Sequence, residues 1–331
     1  MKIIEVENLK KSFNGFTAVD RVSFHINRGE IFGFLGPNGA GKTTTINMLT
    51  GMAKITSGRV KLLGEDYTRN PKKAQAMMGV VPDESNLYEE LTGRDNLTFC
   101  GALYGMEKKI REERASLLLQ QFGLEDAANK PFKAYSKGMK RKLTIAAGII
   151  HQPEILFLDE PTTGIDVAFA RQIRSLIVEL RRKGTTIFLT THYIEEAERL
   201  CQRLAFIVQG KIVREGTVEE LMDEIQGENI VNVTLEGDFS SIEEEFKERF
   251  PDYNFKVGKN NEVSIHSSEP FSLFPLVQLF EEKNHPVYEA KIVRPSLEEV
   301  FVKTTGIELQ KMQDHQNQKG KQSRKGGRSR S

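Results

Sequence analysis

The first two thirds of the chain alternate between short apolar runs and amphipathic stretches. Runs rich in β-branched or aromatic residues predict strands at residues 3–6, 18–26, 31–35, 155–158 and 185–189. Helical spacing of apolar residues marks 42–49 and about 168–182, and Gly184 separates the second helix from the next strand. Strands that alternate with helices in this order favour an α/β fold with a largely parallel sheet covered by helices.

The rest of the pattern predicts an inserted lobe and a separate small domain. Residues 92–122 have helical spacing, which places a helical lobe at about 90–150. After residue 227 the pattern changes to short strands at 230–235, 255–257, 263–266 and 287–292, with helices at 241–250 and 271–282. The order β-α-β-β-α-β is typical of an α+β ferredoxin-like module, and a last short helix is expected at about 296–303.

The composition agrees with two folded domains followed by a tail. With 331 residues and 38% hydrophobic side chains, the chain is long enough to bury the cores of domains at 1–225 and 228–305. Residues 308–331 are poor in apolar side chains and rich in Lys and Arg, so we expect a disordered basic tail. This tail is either solvated or attracted to anionic lipid headgroups or RNA.

Charge and cysteine usage narrow the setting in which the protein works. The formal net charge is +1, which gives no indication of a nucleic-acid partner. Cys100 and Cys201 lie far apart without metal-ligand spacing, as expected for buried free thiols in a reduced compartment. The N-terminal residues have no secretory signal pattern, and no apolar run reaches the roughly 20 residues that span a bilayer. We therefore expect a cytoplasmic protein, peripheral to a membrane at most.

A glycine-rich loop between the first predicted strand-helix pair carries the clearest chemistry. Its sequence GPNGAGKT comprises Gly36, Pro37, Asn38, Gly39, Ala40, Gly41, Lys42 and Thr43. Glycines let main-chain NH groups converge on phosphates at a helix N-terminus, so this context predicts a phosphate-binding loop. We expect Lys42 to contact the β- and γ-phosphates of a nucleotide and the Thr43 hydroxyl to bind Mg²⁺. Thr44 is expected to add a contact from the first helical turn.

A second element, ILFLDE at residues 155–160, is a buried strand that ends in two adjacent carboxylates. At a strand end, Asp159 is able to reach the coordination shell of a magnesium ion. Glu160 then points to the place where an attacking water would stand. Acidic residues end many surface strands, so this element becomes specific only through the motifs around it.

Three further segments complete an ordered set of motifs. AYSKGMKRKL occupies residues 134–143, TTGID occupies 162–166 and TTHYIEEAE occupies 190–198. With the two earlier elements, this order over about residues 1–225 resembles the ABC transporter nucleotide-binding domain, a P-loop NTPase cassette. In that family, the segment with Ser136 and Gly138 matches the signature loop. The segment with Asp166 matches the D-loop, and His192 matches the switch histidine.

The resemblance implies a head-to-tail pair of cassettes with ATP between the phosphate loop of one copy and the signature loop of the other. Ser136 and the main chain of Gly138 would then contact the γ-phosphate across the interface, with Asp166 nearby in the D-loop. Glu160 is similar to the catalytic base of the family, and His192 is similar to its γ-phosphate sensor. The pair is either a homodimer or a heterodimer of ATPase cassettes.

Two positions around the loop leave alternatives open. Phe13 stands where the family has its adenine-stacking aromatic residue, and Phe16 is the main competitor for that role. Asp83 replaces the glutamine with which the family contacts magnesium and links to the membrane subunit. A carboxylate is still a hard oxygen ligand for Mg²⁺, but it adds negative charge near Asp159 and Glu160. Residues 83–90 nevertheless remain the expected contact with a membrane subunit.

The signature loop also departs from the family pattern, with Lys137 in place of a glycine and Met139 in place of a glutamine. SKGM resembles the form found in the ABC-2 type export branch. Cassettes of that branch tend to carry a small C-terminal domain ending in a stretch like PSLEEVF, here residues 295–301. Lys137 either adds positive charge near the γ-phosphate or faces solvent.

The leading hypothesis is therefore the ATP-hydrolysing subunit of an exporter that docks on separate membrane-spanning permease subunits at the cytoplasmic face of the cell membrane. A soluble ABC protein acting on ribosomes or DNA is disfavoured, because the chain has one cassette and no long heptad insertion. No specific nucleic acid is expected. A nucleotide sensor without turnover is disfavoured because the chain retains Lys42, Asp159, Glu160 and His192.

Overall fold

The computed structural model describes residues 1–223, 229–236, 239–258, 261–269, 272–293 and 296–307. The expected basic tail at 308–331 lies outside the described residues. The described residues form two compact units, one made of Met1–Val218 together with residues 301–307, and one within Glu219–Val300. Within the described ranges, no helix is both long enough and apolar enough to span a bilayer.

The first unit alternates strands and helices along most of its length. Its strands are β1 (Lys2–Phe13), β2 (Phe16–Asn27), β3 (Ile31–Leu35), β4 (Ser57–Leu62), β5 (Glu65–Asp66), β6 (Met78–Val81), β7 (Ile155–Asp159), β8 (Thr186–Thr191), β9 (Arg203–Val208) and β10 (Lys211–Thr217). Its helices are α1 (Lys42–Leu49), α2 (Lys72–Gln75), α3 (Gly93–Leu103), α4 (Lys108–Gln121), α5 (Lys137–Gly148), α6 (Val167–Arg182) and α7 (Ile194–Leu200), and α8 (Val218–Asp223) follows.

These strands form two sheets instead of one. The larger sheet has the order β10-β9-β3-β8-β7-β6, in which all pairs except β10 with β9 are parallel. The predicted strands at 3–6 and 18–26 do not join it. They belong to β1 and β2, which pair antiparallel in a second sheet of order β2-β1-β4-β5. Only two residues connect β1 to β2, so no crossover helix fits between them and the pair must be antiparallel.

An aromatic cluster holds the two sheets together. The Phe24 ring of β2 stacks on Phe32 of β3 at 5.5 Å between centroids, and Phe34 contacts Phe188 of β8 at 5.0 Å. All four rings are buried. Because each ring removes a large apolar area from water, this contact fixes the central parallel strands and the loops at their carboxyl ends.

The inserted lobe consists of α3, α4 and α5. The predicted helical stretch at 92–122 is two helices, because α3 ends at Leu103 and α4 begins at Lys108. Thr92 caps α3 by accepting a hydrogen bond from the main-chain NH of Asp95 at 3.1 Å. The first turn of α3 is thereby set by local sequence, and the buried face of α4, with Ala115, Leu118 and Leu119, packs inside the lobe.

The second unit has the strand order of a ferredoxin-like module. Its elements are β11 (Asn229–Leu235), α9 (Glu243–Arg249), β12 (Asn254–Val257), β13 (Glu262–Ser267), α10 (Leu273–Glu282) and β14 (Val287–Val293). The last helix, α11 (Leu297–Thr305), begins in this unit and ends in the first, to which the chain returns at Phe301. The sheet order is β12-β13-β11-β14 and every neighbouring pair is antiparallel. Its core includes the stacked rings of Phe246 and Phe280, 6.1 Å apart. Residue 271, where a helix was expected to begin, lies outside the described residues.

Both cysteines are free, but only Cys201 is buried, so the expectation of two buried thiols is wrong for the half-buried Cys100. Cys201 packs directly against the backbone of β3. A Cβ atom added to Gly33 would stand 2.5 Å from the Cys201 Sγ atom, whereas its next neighbours, the Cβ atoms of Cys201 and Leu204, lie at an ordinary 3.6 Å. Position 33 must therefore be glycine, because the Cys201 sulfur atom leaves no room for a Cβ atom there.

We predict that Gly33→Ala lowers the free energy of unfolding by about 1–3 kcal/mol, the usual cost of overpacking a core. Cys201→Ala removes the clashing atom, so the double variant should lose less stability than the sum of the two single variants. Urea titrations of the four proteins measure this. Strictly additive losses would contradict the packing described here.

Candidate functional site

The GPNGAGKT loop leaves the carboxyl end of β3 and wraps around the N-terminus of α1. Gly41 is the N-cap of α1 and has φ of 105°, in the left-handed region that favours glycine. A Cβ atom at Gly41 would also stand 2.6 Å from the carbonyl oxygen of Ala18 in β2. The loop therefore closes against β2 only with glycine at position 41, and it ends at the N-terminus of α1, where free main-chain NH groups favour an anion.

Lys42 lies beneath this loop and is almost fully buried. Its Nζ donates to the carbonyl oxygens of Gly36 at 2.7 Å and Pro37 at 3.2 Å. The same Nζ lies 3.0 Å from Oε1 of Glu160, with which it forms a buried ion pair. Ala40 packs in the core and its carbonyl accepts from Gly210, which holds the loop from below.

A cavity of about 620 Å³ opens above the loop. It brings together most of the residues predicted to form the nucleotide site. Its lining comprises Phe13, Phe16, Ala18, Asn38, Gly39, Gly41, Lys42, Thr43, Thr44, Asp83, Glu160, Thr163 and His192. Phe13 and Phe16 face each other across the β1-β2 turn, and 48% and 65% of their surfaces are exposed. Gly36, Pro37 and Ala40 lie at the base of the loop instead of in the lining.

A hydroxyl and a carboxylate meet at the inner end of the cavity. Thr43 Oγ1 donates to Asp159 Oδ2 at 2.7 Å, and Thr190 Oγ1 donates to the other oxygen, Oδ1. These are hard oxygen donors of the kind that Mg²⁺ prefers. No group of three or more His, Cys, Asp or Glu side chains in the described part of the chain is arranged to hold a metal. The site therefore suits Mg²⁺ that takes its other ligands from phosphates and water.

Glu160 is the most constrained residue of the site. Its φ of 49° turns it out of the β7 ladder, a conformation that costs a non-glycine residue about 1 kcal/mol or more. Its Oε2 atom lies 2.8 Å from Nδ1 of His192 and accepts a hydrogen bond from Thr163 Oγ1 at 3.1 Å. Burial by itself raises the pKa of Glu160, but the His192 hydrogen bond and the Lys42 charge outweigh it and bring the pKa below its usual value. Glu160 is therefore ionised at neutral pH.

Asp83 lies at the mouth of the cavity. Asp83 is exposed there, yet the pKa of its carboxyl group is raised, mainly because the surrounding protein displaces water. The positive charge of Arg141 opposes this rise, and the negative charges of Asp159 and Glu160 add to it. The structure thus places a third carboxylate beside the two at the end of β7.

Ser136, Gly138 and Asp166 do not line this cavity. Ser136 is exposed and caps α5 by accepting a hydrogen bond from the NH of Met139 at 3.3 Å. Asp166 caps α6 by accepting from the NH of Phe169 at 3.1 Å. The Phe169 ring covers Gly138, where an added Cβ atom would stand 2.6 Å away. The starts of α5 and α6 are therefore in contact with each other, and Ser136, Gly138 and Asp166 lie outside the lining of the cavity of their own chain.

Two buried charged residues near the site escaped sequence analysis. Arg141 of α5 donates to main-chain carbonyls of the Asp83 loop and of the β7 end. Glu196 of α7 accepts a hydrogen bond from Thr162 at 2.7 Å, and burial raises the pKa of Glu196. The sequence does contain one indication of such residues, a charged side chain on a helix face whose other residues are buried. Arg141 stands on the same face of α5 as the buried Gly138 and Ile145.

Comparison with known proteins agrees with this geometry. A family model described as ABC transporter matches residues 19–163. The linearmycin resistance ATP-binding protein LnrL of Bacillus subtilis (strain 168) is 34% identical over 317 residues, which cover 93% of this chain and 99% of LnrL. The daunorubicin/doxorubicin resistance ATP-binding protein DrrA of Streptomyces peucetius is 40% identical over 244 residues, 74% of each chain. The Nod factor export ATP-binding protein I of Rhizobium sp. (strain N33) is 36% identical over 309 residues, 93% of this chain and 98% of the relative.

Solved structures share the fold of the first unit. An ATP-binding subunit of an ABC transporter superposes with a TM-score of 0.61 and 29% identity, over 67% of this chain and 92% of that one. A dimeric post-hydrolysis ATP-binding cassette with ADP and phosphate gives a TM-score of 0.61 and 25% identity, over 65% of this chain and 98% of the other. The predicted P-loop NTPase cassette is thus confirmed. The chain belongs to the ABC transporter family, as an ATP-binding subunit of the export type whose ATPase activity is coupled to transport.

Proposed function

We propose that this chain hydrolyses ATP in the cavity above its phosphate loop, with Glu160 as the general base. The observation that supports this is the buried carboxylate of Glu160 shared between Lys42 and His192. An ionised carboxylate at this place accepts a proton from an attacking water and orients that water. The γ-phosphate of ATP would compete with Glu160 for Lys42, which frees one carboxylate oxygen for the water. His192 holds the other oxygen through Nδ1, and its resemblance to the switch histidine of the family implies a further role as γ-phosphate sensor.

Thr43 and Asp159 are the residues we propose to hold Mg²⁺, with Asp83 as a further oxygen ligand. Bound there, Mg²⁺ neutralises charge on the β- and γ-phosphates. Thr190 keeps the Asp159 carboxylate turned toward Thr43 by occupying its other oxygen. The main-chain amides from Asn38 to Thr44 would bind the phosphates at the start of α1.

A second cassette completes the site in this proposal. Ser136 is exposed at the start of α5 and lies outside the cavity of its own chain, as expected for a residue that serves the partner copy. Ser136 and the main chain of Gly138 would donate hydrogen bonds to the γ-phosphate across the interface, beside Asp166 of the D-loop. The dimeric arrangement of the solved cassette with ADP and phosphate supports this assembly.

The surface for the membrane partner follows from the exposed aromatic residues beside the Asp83 loop. Tyr88 and Phe99 pack edge to face with centroids 5.2 Å apart, yet 56% and 39% of their surfaces remain exposed. Leu103, one turn further along α3, is 71% exposed. Exposed apolar groups so close together are typical of an interaction site. We propose that this aromatic patch, with residues 83–90, binds an amphipathic helix of a membrane-spanning permease subunit.

The names of the relatives, which describe resistance and export functions, support transport out of the cell. In this proposal residues 1–225 form the ATPase domain and residues 228–305 a separate domain. The protein acts at the cytoplasmic face of the cell membrane, where the basic residues of 308–331 are suited to anionic lipid headgroups.

Glu160→Gln tests the base. It should lower the turnover number by about 10²–10⁴-fold while ATP binding persists, because Gln keeps the shape but accepts no proton. A dimer of the variant should then accumulate when ATP is added, and size-exclusion chromatography would detect it. Lys42→Ala is the matched variant, for which we expect lost nucleotide binding in a titration with a fluorescent analogue. Turnover of Glu160→Gln at the original rate would show that another group is the base.

Phe13→Ala and Phe16→Ala distinguish the two candidates for adenine stacking. We expect Phe13→Ala to weaken ATP binding by about 1–3 kcal/mol, as for other base-aromatic stacks, and Phe16→Ala to have a smaller effect. Titration with a fluorescent ATP analogue measures both. The reverse order of the two affinities would assign the stacking role to Phe16.

The double variant Tyr88→Ala/Phe99→Ala tests the aromatic patch. The full chain is expressed in its native cells, so that the native membranes are present. The double variant should lose most of its sedimentation with the membranes and keep its ATP affinity, because the patch lies outside the cavity. Leu117→Ala, which truncates an α4 residue that is also 56% exposed, serves as the control. Equal membrane association of the double variant and the control would contradict the proposed surface.

A further inference from the structure

Arg141 is a buried arginine whose partners are all main-chain carbonyls. Its side chain lies on α5, five residues after Ser136, and only 7% of the residue is exposed. Nε donates to the Pro161 carbonyl at 2.9 Å, and Nη2 donates to the Asp159 carbonyl at 2.7 Å. Nη1 donates to the carbonyls of Pro82 at 2.5 Å and Asp83 at 3.1 Å.

These four carbonyls belong to segments that are far apart in sequence. Two lie in the loop that follows β6, and two lie at the end of β7 on either side of Glu160. The helix that carries Arg141 also carries the signature residues Ser136 and Gly138 at its N-terminus. One planar guanidinium therefore connects the signature helix, the Asp83 loop and the strand end with the catalytic carboxylates.

The guanidinium makes this connection stiff. The N–H groups of the guanidinium point in fixed directions within one plane. A shift of α5 relative to β7 would therefore break several hydrogen bonds together. Burying such a cation is unfavourable unless its donors are satisfied, and leaving four carbonyls without it is unfavourable as well. The arrangement thus favours one register of α5 against the Asp83 loop and the β7 end.

We propose that Arg141 is a positioning residue for ATP hydrolysis. It keeps the signature helix in register with Asp159 and Glu160, so that Ser136 and Gly138 of one copy meet the γ-phosphate bound by the other. It also fixes the main chain of Asp83, so a displacement of that loop reaches both the catalytic strand end and the signature helix. This inference rests on the proposed two-copy site.

The test uses the full chain with Arg141→Gln and Arg141→Lys. Lys108→Gln is the control, because it removes one positive charge from α4, outside the signature segment, where its Nζ lies 4.0 Å from the exposed Glu112. The measurements are the melting temperature, the affinity for a fluorescent ATP analogue, the kcat and KM of ATP hydrolysis, the yield of ATP-induced dimer in the Glu160→Gln background, and amide hydrogen exchange.

We expect Arg141→Gln to bind nucleotide within about twofold of the parent, because the phosphate loop is untouched. Its kcat should fall at least about tenfold at saturating ATP, and the dimer yield should fall with it. Exchange of the main-chain amide hydrogens should become faster at residues 83–84 and stay unchanged in α1. Arg141→Lys should restore part of kcat, because an ammonium group reaches some of the carbonyls without the fork. Lys108→Gln should behave as the parent.

Parental kcat and dimer yield in Arg141→Gln would overturn the inference and leave the proposed function standing. Equal losses of nucleotide affinity and kcat would also overturn it, because they would indicate a general structural role. If Arg141→Gln does not fold, Arg141→Lys decides: a folded variant with normal kcat contradicts the inference, and one with normal affinity and reduced kcat supports it. A Glu160→Gln parent that turns over normally and forms no dimer would instead contradict the proposed function.

Discussion

The architecture of the site depends on one buried carboxylate, that of Glu160, which is shared between Lys42 and His192. Moving a carboxylate and an ammonium group from water into the protein interior costs much free energy unless each is paired and hydrogen-bonded. The pairing therefore joins the phosphate loop, the end of β7 and the end of β8 at one point. Glu160 reaches that point only through a left-handed backbone conformation, and the surrounding contacts hold this strain in place.

The fold brings these three segments together through its strand order. In the larger sheet β3, β8 and β7 are neighbours and parallel, so their carboxyl ends lie at one edge. Ligands of open α/β sheets bind at this edge. The aromatic cluster that contains Phe24 fixes the same strands from one face. Helix α1, whose inner side is buried, begins near the carboxyl ends of these strands. Packing energy from the aromatic core thus maintains the geometry of a polar site.

Sequence alone was sufficient for the parts of the site that are contiguous. The phosphate loop, the carboxylates of Asp159 and Glu160, and His192 each stand beside a strand whose apolar pattern is plain. The structure brings the loop, Glu160 and His192 to one cavity and joins Asp159 to Thr43 by a hydrogen bond. The antiparallel pairing of β1 with β2 was missed because apolar alternation predicts strands and not their sheet. Arg141 and Glu196 were missed because their partners are main-chain or side-chain groups of distant segments, which no local pattern encodes. Asp166 and Ser136 also cap helices, so their residue types alone do not separate a structural role from a catalytic one.

The central claim is that ATP lies on the phosphate loop of one copy and that a second copy completes its pocket. A structure of the Glu160→Gln variant with Mg²⁺ and ATP tests this most directly. The account predicts the β- and γ-phosphates on the amides from Gly39 to Thr44, with Ser136 of the other copy within about 3 Å of the γ-phosphate. A γ-phosphate surrounded by one chain only, or ATP bound away from this loop, would contradict it.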